Sequence, residues 1–429
     1  MLSRLLLLPA AVALTAVTTT LHSKSDCSSL AHPAASSSHN ATILNSTYYP
    51  ANSLNVSGFF NHHPLCEVYG SVPCGSNDSL VFAIWLPDRS GYKGRFMAVG
   101  NGGMAGTIDY ATMMTQLNSG LGLAVAGGNA GHLASENNDG GGAPGLYLPY
   151  LHDKSQVTAW IHDAISLFTP AAKALATDYY NRAPRHSYYY GCSTGGAQGF
   201  ALAEFHPTLF DGIYAGSPGN WYSHLALSFL WNAQHTNPGL SFGSETEWIL
   251  QEGNLANVFS IPLLQNLAFD DLQYDSDDFN WASDVAAIDE RAGALIDEIS
   301  ADLSPFREHG GKLLTSQGWA DPFHAATWRI EHLAQIEGFF GGDVSDFYRL
   351  FTIPGGGHCG AASYYPHAPA TYHTVSALIE WVEESQKPEA ILCSNPPDGS
   401  NRTRKLCPWP ATAHFSAGNY DDWTSYTCQ

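Results

Sequence analysis

Residues 188 to 196 read Tyr-Tyr-Tyr-Gly-Cys-Ser-Thr-Gly-Gly, an aromatic apolar run that passes into a glycine-flanked serine and then into the helix-compatible stretch Ala197 to Phe205. A strand that ends in Gly-x-Ser-x-Gly and turns at once into a helix is a nucleophile elbow. The small flanking residues let the chain turn so sharply that Ser193 stands exposed, with the next backbone N–H aimed where an oxyanion would form. The bland reading of the same five residues is a helix-capping turn, and the preceding strand and following helix decide against it. An elbow also needs a base and an orienting carboxylate. Asp321 lies in Gly318-Trp319-Ala320-Asp321-Pro322, after the strand-like Lys312-Leu313-Leu314. His358 lies in Gly355-Gly356-Gly357-His358-Cys359, after Phe351-Thr352-Ile353. The order Ser, Asp, His is that of an α/β-hydrolase.

Rival residues are weaker. Asp211 precedes the strand Gly212 to Ala215 and so sits at the wrong end of the sheet, whereas Asp321 follows its strand, and Asp343 remains a weak rival. His132, in Gly131-His132, reads as a loop support or substrate contact. Thr194 N–H is one expected oxyanion donor. The second is expected from Gly100-Asn101-Gly102-Gly103, where Gly102 and Gly103 both allow a backbone N–H to approach substrate. Cys192 precedes the serine and Cys359 follows the histidine, so a Ser193 to His358 contact would bring the two cysteines within bridging reach.

Short apolar runs bounded by Gly, Pro and Asn recur at Leu80 to Leu86, Phe96 to Val99, Leu123 to Ala126, Ser187 to Tyr190, Gly212 to Ala215, Lys312 to Thr315 and Phe351 to Ile353. Helical stretches lie between them: Ser155 to Phe168, a restart at Thr169-Pro170, and Ala370 to Glu384. The alternation predicts an α/β fold with a mostly parallel sheet flanked by helices. Residues 221–306 break it with aromatic and acidic segments and read as an inserted lid. The catalytic domain is then split into 21–220 and 307–429.

Arg4 followed by the apolar Leu5 to Val17 marks residues 1–20 as a secretory signal peptide, too short to span a membrane. Export agrees with sequons at Asn40, Asn45, Asn55, Asn77 and Asn401, and with eight cysteines that suggest four disulfides. Beyond Cys192 with Cys359, the expected pairs are Cys407 with Cys428 in a core-poor tail, Cys27 with Cys66, and by remainder Cys74 with Cys393. Eighteen basic against 39 acidic residues give a net charge of −21. That charge, with no basic cluster to neutralise phosphates, argues against nucleic acid or anionic membrane as a partner.

The cysteine–serine, aspartate and histidine–cysteine arrangement resembles the fungal tannase and feruloyl esterase family. The likeness extends to Gly94 through Gly103, to Phe210-Asp211-Gly212-Ile213-Tyr214-Ala215-Gly216-Ser217-Pro218, and to the tail Arg402 to Pro408. It implies a serine carboxylic-ester hydrolase acting on phenolic esters, feruloyl esters of plant cell-wall polysaccharide first and gallate esters second. A secreted, inactive relative that binds carbohydrate or phenolics is the reading from another class. The family carries a longer lid with a calcium loop of the form Cys-Asp-x-x-Asp-Gly-x-x-Asp-Gly. This chain has no such loop, so no cofactor and no metal are expected. The acidic run Asp270, Asp271, Asp275, Asp277 and Asp278 reads as a solvated surface. Two further departures, Ala197 after the elbow and Gln317 where relatives commonly have histidine, are expected not to touch the triad. Trp231, Phe242, Trp248, Phe269, Tyr274 and Trp281 in the lid are candidates to stack a phenolic ring, with core packing as their alternative.

Overall fold

The computed structural model describes residues 24–31, 40–75, 78–136, 141–235, 254–360 and 365–429. The signal peptide, Asn77, Phe242 and Trp248 lie outside them. Nine strands form the main sheet: β1 Thr42–Tyr49, β2 Leu65–Cys74, β3 Asp78–Pro87, β4 Arg95–Val99, β5 Leu123–Gly128, β6 His186–Cys192, β7 Gly212–Gly216, β8 Lys312–Gly318 and β9 Tyr348–Ile353. Their spatial order is β1-β2-β3-β5-β4-β6-β7-β8-β9. From β5 onward all neighbours are parallel, while β1, β2 and β3 pair antiparallel and β3 meets β5 antiparallel.

Successive side chains of a strand point to opposite faces, and here each face has its own core. Phe82, Ile84, Phe96, Ala98 and Tyr189 pack on one side. Ala83, Trp85, Met97, Val99 and Tyr188 pack on the other. Helices α1 Tyr110–Leu117, α2 Ala164–Tyr180, α3 Thr194–Phe205, α4 Tyr222–His235, α5 Ala326–Phe340 and α6 Thr374–Glu384 are the main helical elements around this sheet. Of these, α2 and α3 cover the first face and α1 and α6 the second.

All seven expected strands are present. The antiparallel β1 and β2 were not foreseen: β1 is exposed or half-buried along its length and shows no clean apolar alternation. The expected helix restart at Thr169-Pro170 is corrected. Pro170 lies inside α2, and the irregularity falls earlier, in a π-helical turn at Ala159–Asp163. The Thr169 hydroxyl donates to the Ile165 carbonyl at 2.7 Å, and the heavily buried face of α2 outweighs the one backbone bond that proline removes. The expected helix over Ala370 to Glu384 begins later, after a short strand at Thr371–Tyr372.

Residues 221–306 connect β7 to β8; their described regular elements are helices joined by turns and loops, and an antiparallel bridge between Trp221 and Asp297 closes the base of this segment. Three of the four expected disulfides are formed, Cys27–Cys66, Cys192–Cys359 and Cys407–Cys428. Cys74 with Cys393 is a correction: both are free and buried. They belong to cores on opposite faces of the sheet, which no bridge could join. Burial pushes their thiols up to about 11 and about 12, respectively, so both stay protonated.

Candidate active site

Ser193 sits between β6 and α3 with φ 62° and ψ −122°, a backbone conformation that non-glycine residues rarely adopt. The surroundings hold it there. Its N–H donates to the Gly216 carbonyl at 3.0 Å, and its own carbonyl accepts from Gly219 N–H at 3.0 Å. The elbow glycines have a steric cause: a Cβ on Gly191 would lie 2.2 Å from the Gly195 carbonyl oxygen, and one on Gly195 would lie 2.9 Å from that of Asn101.

The acid and base loops follow β8 and β9, parallel neighbours whose ends are in register at Gly318 and Ile353. Strands β6 to β9 are consecutive in the sheet, so all three loops emerge at the same carboxyl edge. Asp321 is a saturated acceptor. Oδ1 takes Phe323 N–H at 2.9 Å and His324 N–H at 3.1 Å, Oδ2 takes Gln317 Nε2 at 2.9 Å, and His358 Nδ1 lies 3.1 and 3.0 Å from the two oxygens. Burial opposes ionisation of Asp321, but the hydrogen bond from His358, its charge and the Phe323 N–H outweigh it and hold the carboxyl well below the ordinary carboxylate range. With Nδ1–H committed to Asp321, His358 keeps Nε2 free to accept a proton.

Ser193 and His358 line one cavity of about 220 Å³, together with Thr194 and Gly103. Asn101 N–H donates to Gln198 Oε1 at 3.1 Å and Gln198 Nε2 donates to Asn101 Oδ1 at 3.1 Å, tying the glycine loop to α3. The Thr194 hydroxyl donates to the Gly103 carbonyl at 2.7 Å. Of the two glycines considered for the second donor, Gly103 is at the cavity wall and Gly102 is exposed. His132 is buried, its Nε2 2.7 Å from the Met104 carbonyl, so it braces the glycine loop from behind. Asp211 binds Ser187 N–H at 2.7 Å and Asp343 binds Ser345 N–H at 2.9 Å, both away from the cavity.

Tyr222 and His324 also line the cavity, and the rest of its wall is apolar. Leu225, Ala226, Phe229, Leu255 and Phe259 from the inserted segment face Phe323 from the acid loop. None of the described aromatics singled out in the insertion reaches it. Trp231 packs edge-on against Trp281, and Phe269 stacks on Tyr274 at 4.4 Å. Phe229 and Phe259 take the cavity positions because helical spacing, invisible to an aromatic count, turns them inward. Two site contacts were also missed by sequence reasoning. Gln317, expected not to touch the triad, bonds Asp321, and His324 lies edge-to-face with His358 at 4.7 Å between centroids.

Three carboxylates of the acidic run have local partners. Asp270 pairs with His152 at 3.1 Å, Asp271 caps Gln273 N–H, and Asp275 caps Asp277 N–H, so the carboxylates serve separate turns. Among the described residues, the only His, Cys, Asp and Glu group with converging ligand atoms is Asp321, His324 and His358.

The sheet order, the elbow after β6 and the acid and base loops after β8 and β9 define an α/β-hydrolase. Solved structures agree: feruloyl esterase B from Aspergillus oryzae superposes with a TM-score of 0.75 at 21% identity over 95% of this chain and 100% of that one, and a tannin acyl hydrolase from Aspergillus niger with 0.71 at 17% identity over 95% and 94%. The family model described as tannase and feruloyl esterase matches residues 66–241 and 233–429. The chain therefore belongs to the tannase and feruloyl esterase family and is a carboxylic-ester hydrolase. Feruloyl esterase B of Aspergillus niger is 26% identical over 465 residues, covering 85% of this chain and 86% of that protein. Feruloyl esterase C of Talaromyces stipitatus is 26% identical over 471 residues, covering 85% of each.

Proposed function

We propose that the chain is a secreted esterase of phenolic esters, with feruloyl esters of plant cell-wall polysaccharide as its substrates, and that Ser193, His358 and Asp321 are its catalytic triad beneath a lid formed by residues 221–306. The observation that carries the reading is the single cavity in which Ser193, Thr194, Gly103 and His358 meet an apolar wall. His358 Nε2 takes the Ser193 proton as Oγ attacks the ester carbonyl, and Asp321 fixes the imidazole tautomer and stabilises the imidazolium. Thr194 and Gly103 N–H groups receive the oxyanion, each contributing about 3 kcal/mol in comparable sites. The tetrahedral species collapses as the imidazolium protonates the departing alcohol. Water then repeats the sequence in reverse, releasing the phenolic acid and regenerating Ser193.

Ferulate ranks above gallate because the described wall offers few polar partners. The Thr194 and Tyr222 hydroxyls both face the Gly103 carbonyl, at 2.7 and 3.4 Å. For three galloyl hydroxyls the described wall adds only the His324 Nε2 lone pair to these two hydroxyl oxygens, and each hydroxyl buried without a partner costs roughly 1–3 kcal/mol. Three disulfides accord with export, and exposed Asn40, Asn45, Asn55 and Asn401 are open to glycosylation. The test is a panel of methyl ferulate, methyl caffeate, methyl gallate and a simple aliphatic ester. We expect kcat/KM highest for ferulate and at least about tenfold lower for gallate, unchanged by chelator. Gallate as the best substrate would contradict the reading.

A further inference from the structure

We infer that His324 is a positioning residue of the triad, which locks the acid loop to the elbow and base loops through Ser217. The inference rests on the triad reading above. The segment Ser217 to Gly219, just beyond β7, already touches two of the three loops: Gly219 N–H donates to the Ser193 carbonyl at 3.0 Å, and Cys359 N–H reaches Ser217 Oγ at 3.4 Å. Ser217 itself holds φ 34°, an uncommon backbone geometry for a non-glycine residue, with its N–H on the Ser316 carbonyl at 2.7 Å.

The third contact belongs to His324. Its Nδ1 lies 2.7 Å from the Ser217 carbonyl. A carbonyl can only accept, so Nδ1 carries the proton and Nε2 keeps its lone pair. The same residue's backbone N–H holds Asp321 Oδ1, and its ring packs edge-to-face against His358, as does the acid loop's other aromatic, Phe323, whose centroid is 4.6 Å from that of His358. One residue therefore joins the hub and the base through its side chain and the acid through its backbone N–H. A space-filling residue would need no such bond, and burying an imidazole costs free energy unless its polar atoms are engaged. Burial, with the neighbouring His358, lowers the His324 pKa to about 3, so the ring stays neutral beside the imidazolium that forms on His358.

The test compares His324→Leu with His324→Asn, whose side-chain amide nitrogen falls where Nδ1 does and can still donate to Ser217. Leu is expected to lower kcat on a simple ester roughly 10- to 100-fold with little change in KM, and Asn to restore most of it. If His324 only fills space, the order reverses: Leu, apolar and of similar volume, keeps kcat, and the smaller polar Asn loses it. That order would overturn the inference. A readout independent of hydrolysis is the downfield proton resonance of His358 Nδ1–H against Asp321. It is expected to broaden or move in His324→Leu and to return in His324→Asn; an unmoved resonance in Leu also overturns the inference. Should Leu fail to fold, His324→Phe against His324→Asn carries the same ordering. A parent chain that cleaves no ester would withdraw the triad reading, whereas the His358 resonance still reports on His324.

Discussion

Asp321, the proposed acid of the triad, is held mostly by groups outside that triad. Of its hydrogen bonds, only the one to His358 belongs to the triad; Phe323, His324 and Gln317 supply the rest. Gln317 Nε2 donates to a buried, charged oxygen, an interaction typically worth about 1.5–3 kcal/mol. Gln317→Leu is therefore expected to lower kcat about tenfold or more at nearly constant KM, and Gln317→His to recover part of the loss. Equal kinetics in parent and Gln317→Leu would show that the contact does not orient the acid. Ser193, Asp321 and His358 were legible in the sequence because each sits in a short turn pattern just after a strand. Gln317 and His324 were not, because what they touch is decided by loops that meet from distant parts of the chain.

At the level of elements, the site depends on keeping the turn after β6 against the turn after β9. Cys192–Cys359 does this covalently across 167 residues of sequence, with Cα atoms 5.9 Å apart. Closing a loop of that length contributes about 5 kcal/mol in the chain-entropy model, against about 3 for the 21-residue separation of Cys407 and Cys428. The two bridges should also differ in kind. Cys192→Ala with Cys359→Ala is expected to lower kcat on the order of a hundredfold at temperatures where the protein stays folded, since small displacements of nucleophile and base are costly. Losing Cys407 and Cys428 should lower the melting temperature with kcat preserved. An unchanged kcat in the first double variant would limit that bridge to stability. The parallel strands could be read as apolar runs because both of their faces are buried. The half-exposed β1 and the inward turn of Phe229 and Phe259 could not, since packing partners rather than local pattern set them.

Across the whole molecule, the inserted segment is tied to the body by a buried ion pair. Glu298, immediately after the Trp221 to Asp297 bridge, pairs with His162 of the π-helical turn before α2. Burial raises Glu298 to about 7 although His162 opposes the shift, and burial likewise raises Asp297 to about 6. For His162, burial favours the neutral ring, but Glu298 outweighs it and the pKa is raised. Groups raised in the folded state bind more protons there than when unfolded: for Asp297 and Glu298 the stabilisation is complete below their unfolded values near 4 to 4.5 and is lost as pH rises toward about 7, and for His162 it is complete below about 6.5 and is lost as pH rises through its higher folded pKa. Asp321, held low, acts with the opposite sign and loses its contribution only in stronger acid. The melting temperature is accordingly expected to fall between pH 5 and pH 8, and Glu298→Gln to flatten that slope. A slope unchanged by Glu298→Gln would place its origin elsewhere, for instance in the mutual repulsion of a chain at −21. The central claim is that Ser193 is an activated nucleophile. Its most direct test is labelling of the purified protein with a serine-directed phosphonate, followed by peptide mapping. The account predicts one adduct per chain, on the peptide carrying Ser193, and none in Ser193→Ala or at strongly reduced rate in His358→Ala. A folded chain that takes no label, or takes it on another serine, would contradict the account and favour an inactive relative that only binds phenolics or carbohydrate.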